Sequence, residues 1–160
     1  MKYNPNTWKR EAVLKKSENK QFLVKTKRLR GLEKELPDLH DEAFSHISCL
    51  DCANCCKTIS PRFKTPDVVR IAKELGMKQS VFIETYLRLD EDGDFVVKTT
   101  PCPFLGNDNM CSIYEVRPSD CKKYPYTDSG EFFEHPNTTL QNSTTCPAVF
   151  YVLERLKEIV

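Results

Sequence analysis

Glycine is scarce in this chain: five in 160 residues, at positions 31, 76, 93, 106 and 130, all isolated. No G-x-G-x-x-G loop for an adenosyl cofactor can be assembled from them. Histidine is equally sparse at three residues, and there is a single Trp. No apolar run approaches the ~20 residues that cross a bilayer, so a spanning helix is not expected. The N-terminus, MKYNPNTWKREAVLKK, has no apolar stretch after its charges and does not read as a secretory signal. An excess of one charge is missing too. Lys plus Arg is 24 and Asp plus Glu is 23, so the overall balance selects no class of partner. Cysteine, by contrast, is plentiful, with eight residues.

The length is that of about one domain of ~100–150 residues. Nine Phe, six Tyr and an apolar fraction of 39 % are enough for one modest core and too much for a disordered chain. Charge is unevenly placed, however. Residues 1–30 hold ten Lys or Arg against two Glu, a net of +8, which leaves −7 for residues 31–160. This basic arm reads as the solvated face of a helix resting on the acidic body of its own chain. A contact with nucleic acid or anionic lipid is the alternative. Phe22 is the one aromatic residue among Lys15, Lys16, Lys20, Lys25, Lys27, Arg28 and Arg30, so no stacking platform for nucleic acid is evident.

Helix formers run from about Asn6 to Leu36, weakened at Gly31 and ended by Pro37, with a short second helix from Asp38 to about His46. Thr65-Pro66-Asp67 reads as an N-cap followed by proline and an acid, opening a helix that stops at Gly76. Ser80 can cap another, with Phe82, Ile83, Tyr86, Leu87 and Leu89 on its apolar face. Asp92-Gly93 is a turn signal before a short strand over 94–98. From Pro101 to Pro147, prolines and cysteines alternate with aromatics, which reads as irregular loop. An amphipathic helix closes the chain over 148–160. The expected fold is mainly α, with irregular cysteine-rich loops and at most a short β hairpin. It divides into a basic N-terminal helical segment, 1–44, and a cysteine-cluster domain, 45–160.

The cysteines fall into a tight group, Cys49-x-x-Cys52-x-x-Cys55-Cys56, and a dispersed one, Cys102, Cys111, Cys121 and Cys146. Two residues between thiols let the backbone fold over a metal, with its amides aimed at the sulfurs. All eight are therefore candidate metal ligands. Disulfides are the competing use, but no export signal points to an oxidising compartment, and adjacent Cys55 and Cys56 would need separate partners. Eight thiolates suit two four-cysteine zinc sites, or one or two iron–sulfur clusters fed from distant loops. Lys57, Arg62, Arg117, Lys122 and Lys123 lie near the thiols in sequence and could offset their charge. His46, three residues before Cys49, is a further ligand candidate, set against a helix-end role. Tyr114, Tyr124 and Tyr126 read as core packing, set against radical or acid–base work, and Arg117 as a residue that holds a helix end, set against binding a thiolate or an anionic substrate. The acids at 90, 91, 92 and 94 read as a solvated turn, lacking the spacing of a calcium loop. No order of Ser, His and Asp or of Cys and His points to a catalytic residue.

The ordered motifs resemble the YkgJ-type cysteine-cluster proteins, the CxxCxxCC family. They are Cys49-Leu-Asp-Cys52-Ala-Asn-Cys55-Cys56, Pro101-Cys102-Pro103-Phe104-Leu105, Cys111-Ser-Ile-Tyr114-Glu-Val-Arg117-Pro118-Ser-Asp-Cys121, Tyr124-Pro125 and Cys146-Pro147. This covers roughly residues 45–150. The resemblance implies a domain that chelates zinc or iron. A related branch, the flagellin lysine N-methylases, shares the cysteine pattern and is associated with iron–sulfur-dependent methyl transfer, which ranks an iron–sulfur cluster above zinc. The expectation is a cytoplasmic, bacterial metal-binding protein in a redox or methyl-transfer related role, acting with a protein partner or protein substrate. The alternative is a structural zinc-binding interaction module.

Overall fold

Two backbone breaks divide the N-terminal run that its helix formers suggest is continuous. Lys15 leaves the helical region (φ −88°, ψ 5°), separating α1 (Trp8–Leu14) from α2 (Lys16–Thr26). Gly31 takes the left-handed conformation (φ 85°) ahead of a 3-10 turn, Leu32–Glu35. Pro37 then sits in the first turn of α3 (Leu36–His46), starting that helix instead of ending the previous one. The proline lacks only an N–H that would have no helical partner there. The computed structural model describes residues 2–160. It continues through α4 (Cys49–Cys52), α5 (Asn54–Thr58), α6 (Thr65–Glu74) and α7 (Gln79–Tyr86) to strands β1 (Leu87–Leu89) and β2 (Phe95–Val97). A second 3-10 turn, Tyr114–Val116, precedes α8 (Ser119–Lys123), α9 (Glu131–Glu134), α10 (Pro136–Asn142) and α11 (Pro147–Ile159). The chain is thus mainly helical with one two-stranded hairpin, as expected. The 101–147 region is less irregular than its prolines suggest, because two of them fall in first turns, at Pro136 and Pro147.

The elements fall into two compact units. The first comprises the chain through Ser48 together with Pro125–Val160. Its centre is α11, in which Ala148 to Glu154 is an unbroken buried run packed on α3 and α1. Leu36, Leu39 and Ala43 of α3, Phe22 and Leu23 of α2, and Phe132 and Leu140 complete the core. Each Leu or Phe among them contributes about 1.5–3 kcal/mol on burial. The charge asymmetry is partly resolved inside this unit. Lys15 Nζ donates to Glu154 Oε2 at 2.6 Å, and Lys157 Nζ lies 2.6 Å from Glu154 Oε1. That bond holds the Lys15 ammonium above its usual pKa. Lys16, Lys20 and Lys25 remain exposed on α2, as a solvated helix face should, and Lys27, Arg28 and Arg30 are exposed in the turn that follows it.

The second unit is Cys49–Tyr124. Its core joins Val68, Ile71 and Ala72 of α6, Phe82 of α7, Leu87 and Val97 of the hairpin, and Phe63, Phe104 and Ile113 from the loops. The strands pair antiparallel, Leu87 with Val97 and Leu89 with Phe95. Leu87 and Leu89 therefore belong to a strand, not to the end of α7. The turn between them is built on Asp90, whose Oδ1 accepts the Asp92 and Asp94 N–H groups, both at 2.9 Å. This is the solvated turn that the acids predict.

Asp67 departs from the simple cap signal at Thr65-Pro66. Lys64 occupies the N-cap position, and its N–H is accepted by Asp67 Oδ2 at 3.0 Å. The Asp67 side chain is 2 % exposed. Burial alone would raise its pKa, but the Arg70 guanidinium and the Lys64 and Ser119 amides outweigh it and hold the carboxyl below its usual value. The folded pKa therefore lies below the unfolded value of about 3.9. The contribution is present in full above that value and is lost as pH falls through the folded pKa. Asp67→Asn is expected to cost about 1–3 kcal/mol near neutrality. It should also flatten the decline in stability between roughly pH 5 and pH 2. Denaturation midpoints across that range check this; parallel curves for the two proteins would contradict it.

Candidate metal centre

Cys49 and Cys52 lie three residues apart on the single turn of α4, so they share a face. Ala53 then takes a left-handed conformation (φ 45°, ψ 19°), a strain of about 1–2 kcal/mol for a residue with a Cβ. Its N–H donates to Cys49 O at 2.8 Å, and its carbonyl accepts the Lys57 N–H at 3.1 Å. The reversal closes one turn and opens α5, which carries Cys55 and Cys56. Successive C-x-x-C spacings thus become two short helical turns joined by one strained residue.

The dispersed thiols are brought to this segment by backbone bonds. The Cys102 N–H donates to Cys56 O at 2.8 Å. Leu105 and Cys111 form an antiparallel bridge around a tight turn, where Gly106 N–H donates to Met110 O at 2.8 Å. A Cβ at Gly106 would lie 2.7 Å from Asp108 Oδ1, whose side chain would have to swing aside, and 3.3 Å from Met110 O. Asn109, in the left-handed region at φ 63°, donates from Nδ2 to Leu50 O at 2.7 Å and ties the turn to α4. Cys121 follows on α8. Beneath these loops, Phe104 stacks on Phe82 at 6.2 Å and meets Tyr86 at 5.0 Å, and Cys102 and Cys111 pack against this aromatic floor.

Electrostatics marks the thiols as one group. Burial raises the pKa of Cys49, and Cys52 and Cys56 add to the shift. Burial likewise raises Cys102 and Cys111, each of which feels Cys56. The Cys121 thiol is pushed up to about 12 by burial and by Cys56, Cys102, Cys111 and Asp120. Cys56 moves the other way, to about 7, because Cys55 hydrogen-bonds to it and Lys57 lies nearby. Backbone amides pull against burial at two of these thiols. Those of Phe104 and Leu105 favour the Cys102 thiolate, and that of Ile113 favours the Cys111 thiolate. Amides so placed are the partners a metal-bound sulfur uses. All eight cysteines are free thiols. Among the described residues, no three His, Cys, Asp or Glu side chains are drawn together tightly enough to hold a metal ion as they stand. The donor set nevertheless fits a thiolate-bound metal: thiolates that raise one another's pKa are what a cation stabilises, and thiolate sites seldom close before the metal arrives.

Seven of the eight sequence-predicted ligands, Cys49, Cys52, Cys55, Cys56, Cys102, Cys111 and Cys121, lie in this unit. Cys146 belongs to the other, at the N-cap of α11, where it packs against that unit's apolar core. His46 is also in that unit, its ring 6.0 Å from that of Tyr151. Of the expected charge-balancing cations, Lys57 acts on Cys56 and Arg117 on Cys111. Arg62 instead pairs with Asp120, Nε to Oδ2 at 3.0 Å, since a carboxylate is a better partner for its fork than a protonated thiol. Lys122 and Lys123 are exposed on α8. Arg117 does hold a helix end, donating from Nη1 to Tyr114 O at 2.7 Å. Tyr114 is 56 % exposed, with the Arg117 guanidinium 4.0 Å from its ring centre, so it is not core. Asp67 is legible only as helix-start chemistry and Arg70 carries no signal of its own, and nothing in their spacing shows their reach to residues 116–119.

Residues 48–147 match the CxxCxxCC family model, described as a "putative zinc- or iron-chelating domain". No curated protein and no solved structure matches the chain. The matched span covers well over half of the sequence and holds all eight cysteines. This chain belongs to the CxxCxxCC family of zinc- or iron-chelating domains.

Proposed function

We propose that the thiols of the Cys49–Tyr124 unit hold an iron–sulfur cluster in a redox or methyl-transfer related role. The observation that carries this reading is the backbone tie of the loop thiols to the C-x-x-C segment, Cys102 N–H to Cys56 O at 2.8 Å and the Leu105–Cys111 turn to Leu50 O through Asn109, with Cys56 in electrostatic reach of Cys49, Cys102, Cys111 and Cys121. That is more sulfur than one tetrahedral zinc ion takes. A cluster is wider and accepts ligands from separate loops, and N–H donors of the kind at Cys102 and Cys111 tune its potential. When bound, such a cluster supplies one-electron transfer. The chain's own part is to position the sulfurs, neutralise them with amides and with Lys57 and Arg117, and seat them on the Phe82–Phe104 floor. The association of related cysteine-cluster proteins with protein-lysine methylation supports a protein substrate or partner, and the exposed cations of α1 and α2 suit one with acidic side chains.

Protein isolated without oxygen is expected to be brown, with broad sulfur-to-iron absorption that bleaches on dithionite reduction. Colourless protein carrying zinc would instead support the structural zinc-binding interaction module, in which the basic face alone meets the partner.

A further inference from the structure

Capping α6 needs only one oxygen of Asp67, the Oδ2 that accepts the Lys64 N–H. The other oxygen is used elsewhere. Asp67 Oδ1 accepts the Ser119 N–H at 3.0 Å and Arg70 Nη2 at 2.8 Å. Arg70 also bonds the same segment, with Nε to Val116 O at 3.2 Å and Nη2 to Arg117 O at 2.8 Å, while its Nη1 stays on α6 with Pro66 O at 3.5 Å. Three backbone groups within four consecutive residues are thus bonded to one acid–base pair on a helix about fifty positions earlier. Asp120, next along, is held by Arg62 Nε at 3.0 Å and has Lys64 Nζ 3.7 Å away. The residue that follows is Cys121.

A segment gripped this way has few conformations left, so its next side chain is aimed before any metal arrives. We propose that Asp67 and Arg70 are positioning residues that set the Cys121 thiol in the metal centre. The inference rests on the reading that the thiols of this unit bind metal, and it adds that Cys121 is the ligand governed from α6. Loss of a partner that orients a metal ligand commonly weakens the site about 10- to 100-fold. A general loosening of the unit would instead affect all its thiols together.

The test uses the full chain, isolated anaerobically with its metal, in four forms: wild type, Asp67→Asn, Ser119→Pro and Ile71→Val. Ser119→Pro removes the donor to Asp67 without touching α6, and proline suits the first position of a helix such as α8. Ile71→Val lowers the stability of the same core without altering the clamp. Alkylation of each cysteine is followed by peptide mass spectrometry in the metal-loaded protein. In Asp67→Asn and Ser119→Pro, Cys121 is expected to alkylate about 10- to 100-fold faster than in wild type, with the other six thiols of the unit still protected. Ile71→Val should leave Cys121 protected. Unchanged Cys121 labelling in metal-loaded Ser119→Pro, or all seven thiols labelling together, would overturn the positioning role and leave the metal reading intact. Wild-type thiols that label equally with and without metal would overturn the metal reading and the clamp with it.

Discussion

Removal of the metal is expected to release residues 49–58 and 101–124 from amide protection while the α6–α7 core persists in weakened form. The reason lies in where apolar burial is found. The α4 and α5 helices contain no buried side chain, and over residues 49–59 Ala53 is the one buried residue. Residues 101–124 contribute only Phe104 and Ile113 to the core. Ordering a residue costs about 1–2 kcal/mol of backbone entropy, which so little burial cannot offset. A bound metal supplies the difference, because its binding free energy is folding free energy for a site that the unfolded chain lacks. The zinc-finger scale of about 10–16 kcal/mol is an upper bound here, since α6, α7 and the hairpin have a core of their own. The chelated protein should therefore lose several kcal/mol and the exchange protection of its cysteine segments. Amides of α3 and α11 should keep theirs. Cys56→Ser should behave like the chelated protein, because the charge of that thiolate bears on four other thiols, at a position whose carbonyl accepts the Cys102 N–H. Hydrogen exchange by mass spectrometry reads both; cysteine segments equally protected with and without metal would contradict the account.

Phe82→Ala is expected to cost about 3–5 kcal/mol, the range for truncating a buried Phe. Phe82 is fully buried and meets Phe63, Tyr86 and Phe104, with ring centres at 6.3, 5.4 and 6.2 Å. The cavity would open under Phe104, whose backbone N–H serves the Cys102 sulfur. The substitution should therefore weaken metal retention as well as the fold, whereas Phe82→Leu, which fills most of the volume, should cost less and hold its metal. A denaturation midpoint and a metal-competition titration on the same three proteins check this. A loss below about 1 kcal/mol would show that the floor is not packed as described.

Much of this architecture is written in local sequence. The α6 start at Thr65-Pro66-Asp67, its stop at Gly76 and the turn at Asp92-Gly93 are short-range chemistry, and each appears where its residues put it, within a residue or two. The errors have physical causes. Pro37 can end a helix or begin one, and only the packing of Leu36, Leu39 and Ala43 against α11 decides. Leu87 and Leu89 fit a helix face until Val97 and Phe95 pair with them. The cysteine spacing made the ligand set readable, but Ala53 gives no hint that an unspecialised residue takes the left-handed turn between the two pairs. Asp67 and Arg70 are the deepest omission, because a bond from α6 to residues 116–119 leaves no periodicity to read.

The measurement that bears most directly on the central claim is iron, zinc and acid-labile sulfide per chain, on protein isolated anaerobically from its native host. The account predicts iron with matching sulfide. Zinc without sulfide, or neither metal, would contradict it.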